Sequence, residues 1–431
     1  MSKMSDRTSS RRQVVNALGL TALSFALPVC RGGAQAQPAT PAAGGQGPGA
    51  ANDWTGERMF KAVQAYSAMG NHRVGTPVDA MTNRWFADQL RAMGGRVEMQ
   101  RFTFDRFEGS SAVSIDGQAI SSMPLYYEAA GEVRSDSPRV AAMKVTSGDR
   151  ASQALKDELR KAKAAGAAML VIATEGAGGE LSTPNCFPVL GSGVPTILVP
   201  GRYADALRTG KVVARVAGRI VPGESSNVVA RFGDQAGTPL LIATPLSGWF
   251  TCAAERGTGI AVALALADRF RRDRPVLVVG SPGHELLHHI GLEAYLKANR
   301  VVADLILHLG ANVAVGLRDE TSGRVKLAPG FADPGAVPEA GRAVFVRMAK
   351  SRFSSIEAAL ANADLPAVLN PPSWNGEGAL WAEAASGDLL SFTGIHPLFH
   401  TSGDVPQATT SPAALATVYQ AIAQAVANYM A

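Results

Sequence analysis

Apolar residues recur three and four positions apart in two stretches, "WTGERMFKAVQAYSAMG" from Trp54 and "DAMTNRWFADQLRAMGG" from Asp79. That spacing predicts two helices, each stopped by glycine. "RVEMQRFTF" then alternates, which predicts a strand. From about 108 to 222 the pattern shifts to short apolar strands ("RVAAMKV", "AAMLVIA", "VPTILVP", "KVVARVA") between Gly/Pro turns, with one charged helix at "SQALKDELRKAKAAG". After Asn227 the strands "NVVARF", "PLLIATPL", "PVLVVGS" and "ADLILHLG" are near-continuous apolar runs, as expected of strands buried on both faces. Helical stretches such as "GTGIAVALALADRFRR" and "LEAYLKANR" separate several of them, and "SPAALATVYQAIAQAVANYM" closes the chain. Alternating helices and buried strands predict a three-layer α/β sandwich around a mostly parallel sheet, interrupted by the 108–222 segment.

The 431-residue length suggests two or three domains. The net charge of +5 is spread along the chain and not gathered in a stripe, so no nucleic-acid partner is expected. Residues 1–36 read as an export signal: a polar start with Arg11-Arg12, a short apolar run, then Ala34-Gln35-Ala36. Ser10-Arg11-Arg12-Gln13-Val14-Val15 resembles the twin-arginine signal, with a general secretory signal as the alternative. The apolar run is too short for a membrane span, so the mature chain is expected to be periplasmic or secreted without a stable span. The residues before Cys30 are poor for lipidation. Residues 37–52 are a Pro/Gly/Ala linker with too little apolar side chain to fold. Cys186 and Cys252 remain after cleavage and can pair only if they lie close enough. No C-x-x-C pair is present, which excludes a thiolate zinc site.

In open α/β sheets the ligand site lies beyond the carboxyl ends of the strands. Four segments bring His or Glu there: "SGWFTCAAERGTG" with Glu255, "PGHELLHH", His308 at the end of "DLILHLG", and "IHPLFHTSGD" with His396, His400 and Asp404. Such a His/carboxylate set suits zinc or a similar divalent metal. His284-Glu285-Leu286-Leu287-His288 spells H-E-x-x-H, but a protease motif of that kind needs both histidines on one helix. Here it follows a strand by only a Ser-Pro-Gly turn, so His284 and Glu285 are expected at a strand-to-helix junction.

The order of "YSAMGNHRVGTP", "AKAAGAAMLVIAT", "PLLIATPLSGW", "CAAERGTGIAVALALA", "GHE…GLEAYL" and "FHTSGDVP" resembles the zinc-dependent exopeptidases that include bacterial leucyl aminopeptidase, aminopeptidases S and Y, glutaminyl cyclase and the transferrin-receptor ectodomain. The resemblance implies a metallopeptidase-like domain over 53–107 and 223–431, with a mainly-β protease-associated insert over 108–222. It also implies site residues. Pro245 and Ser247 stand at the family's H-x-D, so one ligand is lost. Glu255 falls at the bridging carboxylate, His284 at the general base, Glu285 and His400 at metal ligands, and His308 at a further ligand position. Glu255, Glu285 and His400 then form one metal position, with His308 a fourth ligand or a neutral hydrogen-bond partner. One zinc ion is implied, or another divalent metal, with His284 taking the proton of a metal-activated water.

Weaker candidates surround that set. Arg256 is a substrate-carboxylate binder or a structural salt bridge; Glu377 and Asp404 support the ligands; and His288 is expected to reach the site sooner than His289. His72 and Arg73 are expected to brace the insert. Three functions stay open: an aminopeptidase-type hydrolase of a peptide or small amide, a metal-dependent lyase or cyclase, and a binding protein that has lost its metal.

Overall fold

The period-two alternation of a strand sends successive side chains to opposite faces, and the central strands here bury both. Leu240 and Ile242 pack into one core while Leu241 and Ala243 pack into another. Val276 and Val278 are likewise separated from Leu277 and Val279, and Leu305 and Leu307 from Ile306. This division accounts for the continuous apolar runs. The computed structural model describes residues 54–144, 153–185, 192–233, 237–286, 289–333 and 338–431. The export segment 1–36, the linker 37–52, Cys30, Cys186 and His288 lie outside the described residues.

The main sheet runs in the order Ala367–Leu369, Gly341–Arg347, Ser386–Ile395, Val302–Leu309, Leu240–Pro245, Val276–Ser281, Val212–Phe232, Arg96–Ile115 and Gln118–Ile120, and Gly131–Ser135 also pairs with Val212–Phe232. The four strands from Ser386–Ile395 to Val276–Ser281 are mutually parallel. Beyond them the neighbours pair antiparallel, except for the last edge pair, Gly341–Arg347 with Ala367–Leu369. The sheet is therefore parallel at its centre and mixed overall.

Helices Gly56–Ser67, Thr258–Phe270, Lys350–Ala361 and Pro412–Met430 cover one face, joined by Phe86 and Leu90 of Pro77–Ala92. Ile290–Ala298 and Glu377–Ala384 cover the other through Leu292, Tyr295 and Trp381. The result is the expected three-layer sandwich. No described helix is long and apolar enough to cross a membrane.

Residues within 108–222 build a second sheet in the order Met123–Pro124, Thr196–Pro200, Leu170–Thr174 and Arg139–Met143, with its own apolar core. Strand dominates the segment, and its one long helix, Gln153–Ala164, is the charged helix expected there. Arg139–Met143 and Leu170–Thr174 run parallel, and a parallel pair needs a crossover, supplied by helix Gln153–Ala164. Arg73 reaches this part, donating to the Phe107 carbonyl at 2.7 Å and stacking over Tyr126. His72 does not; it is buried against Tyr66 and Thr82.

Candidate metal centre

Strand Leu240–Pro245 leads into a tight loop and then a π-helical turn, Ala253–Gly257, before helix Thr258–Phe270. Cys252 opens the turn in a left-handed conformation, φ 46°. Asp404 holds the turn: its carboxylate accepts from the Ala254 and Glu255 N–H groups at 2.8 and 3.1 Å and from the Thr409 hydroxyl at 2.9 Å. Asp404 thus positions Glu255, as a capping carboxylate would. Burial pushes its own pKa up to about 6.

Glu255 is fully enclosed. Its Oε1 lies 2.8 Å from Arg256 Nη2 and 3.3 Å from His400 Nε2. Burial works to raise the carboxyl pKa, but His400 and Arg256 outweigh it and hold it at about 2. Arg256 is itself fully buried and donates through Nε to the Ser247 carbonyl at 3.0 Å. Of its two expected roles, the geometry is that of a structural ion pair. Cys252 is a free, buried thiol that donates to the Trp249 carbonyl. Burial pushes its pKa well up, which suits an inert thiol.

The second group follows strand Val276–Ser281. Pro282 and Gly283 (φ 103°) turn the chain, and His284–Leu286 form a single 3-10 turn. Helix Ile290–Ala298 starts only after His289, which is left-handed at φ 45°. His284 and Glu285 thus lie on a 3-10 turn at the strand-to-helix junction, as expected, and helix Ile290–Ala298 contains neither. Glu285 is buried, its Oε1 accepting from Val74 N at 2.6 Å and its Oε2 from the Ser247 hydroxyl at 2.7 Å. Burial raises its pKa from the ordinary carboxyl value, against the lowering effect of the Val74 and Ser247 hydrogen bonds. Ser247 also accepts from Gly283 N at 2.6 Å, so it ties the two loops together.

Glu377 begins helix Glu377–Ala384 and stands between two imidazoles. Its Oε1 is 3.7 Å from His284 Nδ1 and its Oε2 is 3.7 Å from His308 Nε2. Burial opposes ionisation of Glu377, but His284 and His308 outweigh it and hold the carboxyl far below the carboxylate range. His308 Nδ1 meets the Ser391 hydroxyl at 2.9 Å, which leaves Nε2 facing Glu377. The His284 and His289 rings lie 4.5 Å apart. Among the described residues, the set of three whose ligand atoms all lie within 4.8 Å of one another is His284, His289 and Glu377.

The expected site residues thus fall into two groups. Glu255, Arg256 and His400 come together, with Asp404 behind them. His284, His308 and Glu377 come together around a different carboxylate. Glu285 joins neither through a direct contact, because Val74 and Ser247 engage both its oxygens. His396 is buried with no hydrogen-bond partner on either nitrogen among the described residues, and burial lowers its pKa to about 3.

The left-handed backbone that places His289 beside His284 is invisible in a residue pattern. Glu377 was expected to support the ligands, and Ser247 to mark a lost one. The one available signal for His289 was its place in a run of three histidines within six residues.

No protein-family model matches the chain, and no curated protein matches it. Solved structures do. The aminopeptidase from Aneurinibacillus sp. strain AM-1 is 18% identical with a TM-score of 0.53, over 86% of this chain and 93% of that one. The zinc aminopeptidase BSAP from Bacillus subtilis is 16% identical with a TM-score of 0.61, over 86% and 94%. A peptidase M28 precursor from Shewanella amazonensis SB2B is 16% identical with a TM-score of 0.56, over 87% and 96%. Along nearly its whole described length, this chain has the fold of these aminopeptidases and M28 peptidases.

Proposed function

We propose that this protein is an exported, metal-dependent hydrolase of the peptidase type, cleaving a peptide or another small amide with one divalent ion. The observation that carries the reading is the buried set of imidazoles and carboxylates beyond the carboxyl ends of the central strands. Imidazole nitrogen with carboxylate oxygen is a zinc-type donor set. Glu377 Oε1, His308 Nε2, Glu255 Oε1 and both ring nitrogens of His400 are buried there without a hydrogen-bond partner among the described residues. Buried polar atoms are rarely left so unless something else engages them, and a metal ion would do so.

A bound ion of this class supplies Lewis acidity, which polarises a carbonyl and lowers the pKa of a water toward neutrality. The chain contributes placement. Ser391 fixes the ring orientation of His308, and Ser247 locks the loop before His284 to Glu285. We read His284, 3.7 Å from Glu377, as a donor to the ion in place of its expected role as proton acceptor. Trp249, from the loop beside Glu255, stacks on Tyr126 and donates to Asn185 of the 108–222 segment. His400 O likewise accepts from Thr183 N of that segment at 3.2 Å. The insert therefore braces one wall of the site.

The test is hydrolysis of a panel of aminoacyl 4-nitroanilides and dipeptides by the chain as purified, after chelation, and after zinc is restored. Cleavage that chelation abolishes and zinc restores is expected. Zinc-loaded protein that cleaves nothing in the panel would remove the hydrolase reading.

A further inference from the structure

We infer that the ion is held by His284, His289 and Glu377, with His308 within reach of the same carboxylate, and not by Glu255, Glu285 and His400. The inference rests on the metal-dependent reading above and names the site for it. Two zinc ligands at bond lengths of about 2.1 Å stand about 3.4 Å apart in a tetrahedral site. The 3.7 Å contacts from Glu377 to His284 and to His308 are close to that separation. They are also too long for hydrogen bonds. His289, His284 and Glu377 already lie within 4.8 Å of one another, so small side-chain movements bring them onto one ion.

The segment before Glu377 packs closely on the His284 ring. Gly376 precedes Glu377 at φ 51°, and a Cβ there would stand 3.3 Å from His284 Cε1. Imidazole-rich donors favour zinc or a neighbouring transition metal over calcium or magnesium.

The other group differs not in hydrogen bonding, for Glu255 Oε1 and the His400 nitrogens also lack partners among the described residues, but in having a cation of the chain's own beside its carboxylate. Arg256 is permanently cationic, fully buried, and 2.8 Å from the Glu255 oxygen that His400 also approaches. A divalent ion on that oxygen would face the guanidinium at close range. Glu285, the third member of the expected triad, is turned to Val74 N and Ser247. The guanidinium holds the place that a metal would otherwise fill, and the ion is displaced to the neighbouring carboxylate.

Zinc affinity separates the two sites directly. The full chain is stripped by chelation, and zinc binding is measured by competition with a chromophoric chelator and by plasma mass spectrometry. His289→Ala, Glu377→Gln and His400→Ala are compared with the parent, each checked for folding by its circular dichroism melt. His289 is only partly buried, so its variant keeps the test valid if Glu377→Gln fails to fold. The expected result is one equivalent in the parent, a loss of about 100-fold or more in affinity for His289→Ala and Glu377→Gln, and no change for His400→Ala. Loss in His400→Ala with retention in the other two overturns the site assignment and leaves the hydrolase reading standing. A folded parent that binds no zinc overturns both.

Discussion

Arg256 and His72 show how a single buried residue sets what its surroundings can do. An arginine in the "AAERG" segment reads from sequence as a substrate binder or a salt bridge with equal ease. Complete burial 2.8 Å from Glu255 gives it the geometry of an internal ion pair, and removing one partner of such a pair leaves an uncompensated charge in the interior. His72 was expected at the inserted segment and instead lies between Thr82 Oγ1 at 2.8 Å and the Tyr66 carbonyl at 2.9 Å. Burial lowers its pKa to about 3. The folded state thus keeps His72 neutral while the unfolded chain takes up a proton below about pH 6.5. Its stabilising contribution is fully present above that pH. It is lost as pH falls toward 3, by about 1.4 kcal/mol for each pH unit in that window. Denaturant melts between pH 7.5 and 4.5 should show this slope in the parent and a shallower one in His72→Gln. Equal slopes would mean that His72 is not buried neutral. Burial of individual polar residues was not legible in the sequence, because it depends on contacts between distant segments: Glu377 meets His284 and His308 across intervals of 93 and 69 positions.

At the scale of elements the sequence was far more informative. The apolar runs "PLLIATPL" and "PVLVVGS" became Leu240–Pro245 and Val276–Ser281, and "SQALKDELRKAKAAG" became Gln153–Ala164. Periodicity and turn residues act locally, so they survive in a single sequence. What they do not encode is the path of a short loop between two elements. The His284 loop is one such case. Pro282 and Gly283 were read as a turn, but the left-handed His289 that ends it was not. Gly291 N donates to the Pro282 carbonyl, and a Cβ on Gly291 would stand 2.2 Å from that oxygen. Gly291→Ala must therefore move the backbone that carries His284. A stability loss of about 1–3 kcal/mol is expected from such overpacking, read from the denaturation midpoint, together with weaker zinc binding. An unchanged zinc affinity in that variant would show that this loop does not set the metal centre.

At the scale of the whole molecule, the parallel strands bring their carboxyl ends to one edge, where the sequence placed its candidate chemistry. That much follows from topology, and the likeness to zinc aminopeptidases of known structure extends over 86% of the chain. The distribution of charge at that edge is this chain's own. One carboxylate is neutralised by an internal arginine, and another stands among three histidines. Anomalous scattering at the zinc absorption edge, from crystals of the zinc-loaded chain, tests this account most directly. The account predicts one strong peak at about 2.0–2.2 Å from donor atoms of His284, His289 and Glu377. A peak between Glu255 and His400, or no peak in zinc-loaded crystals, would contradict it.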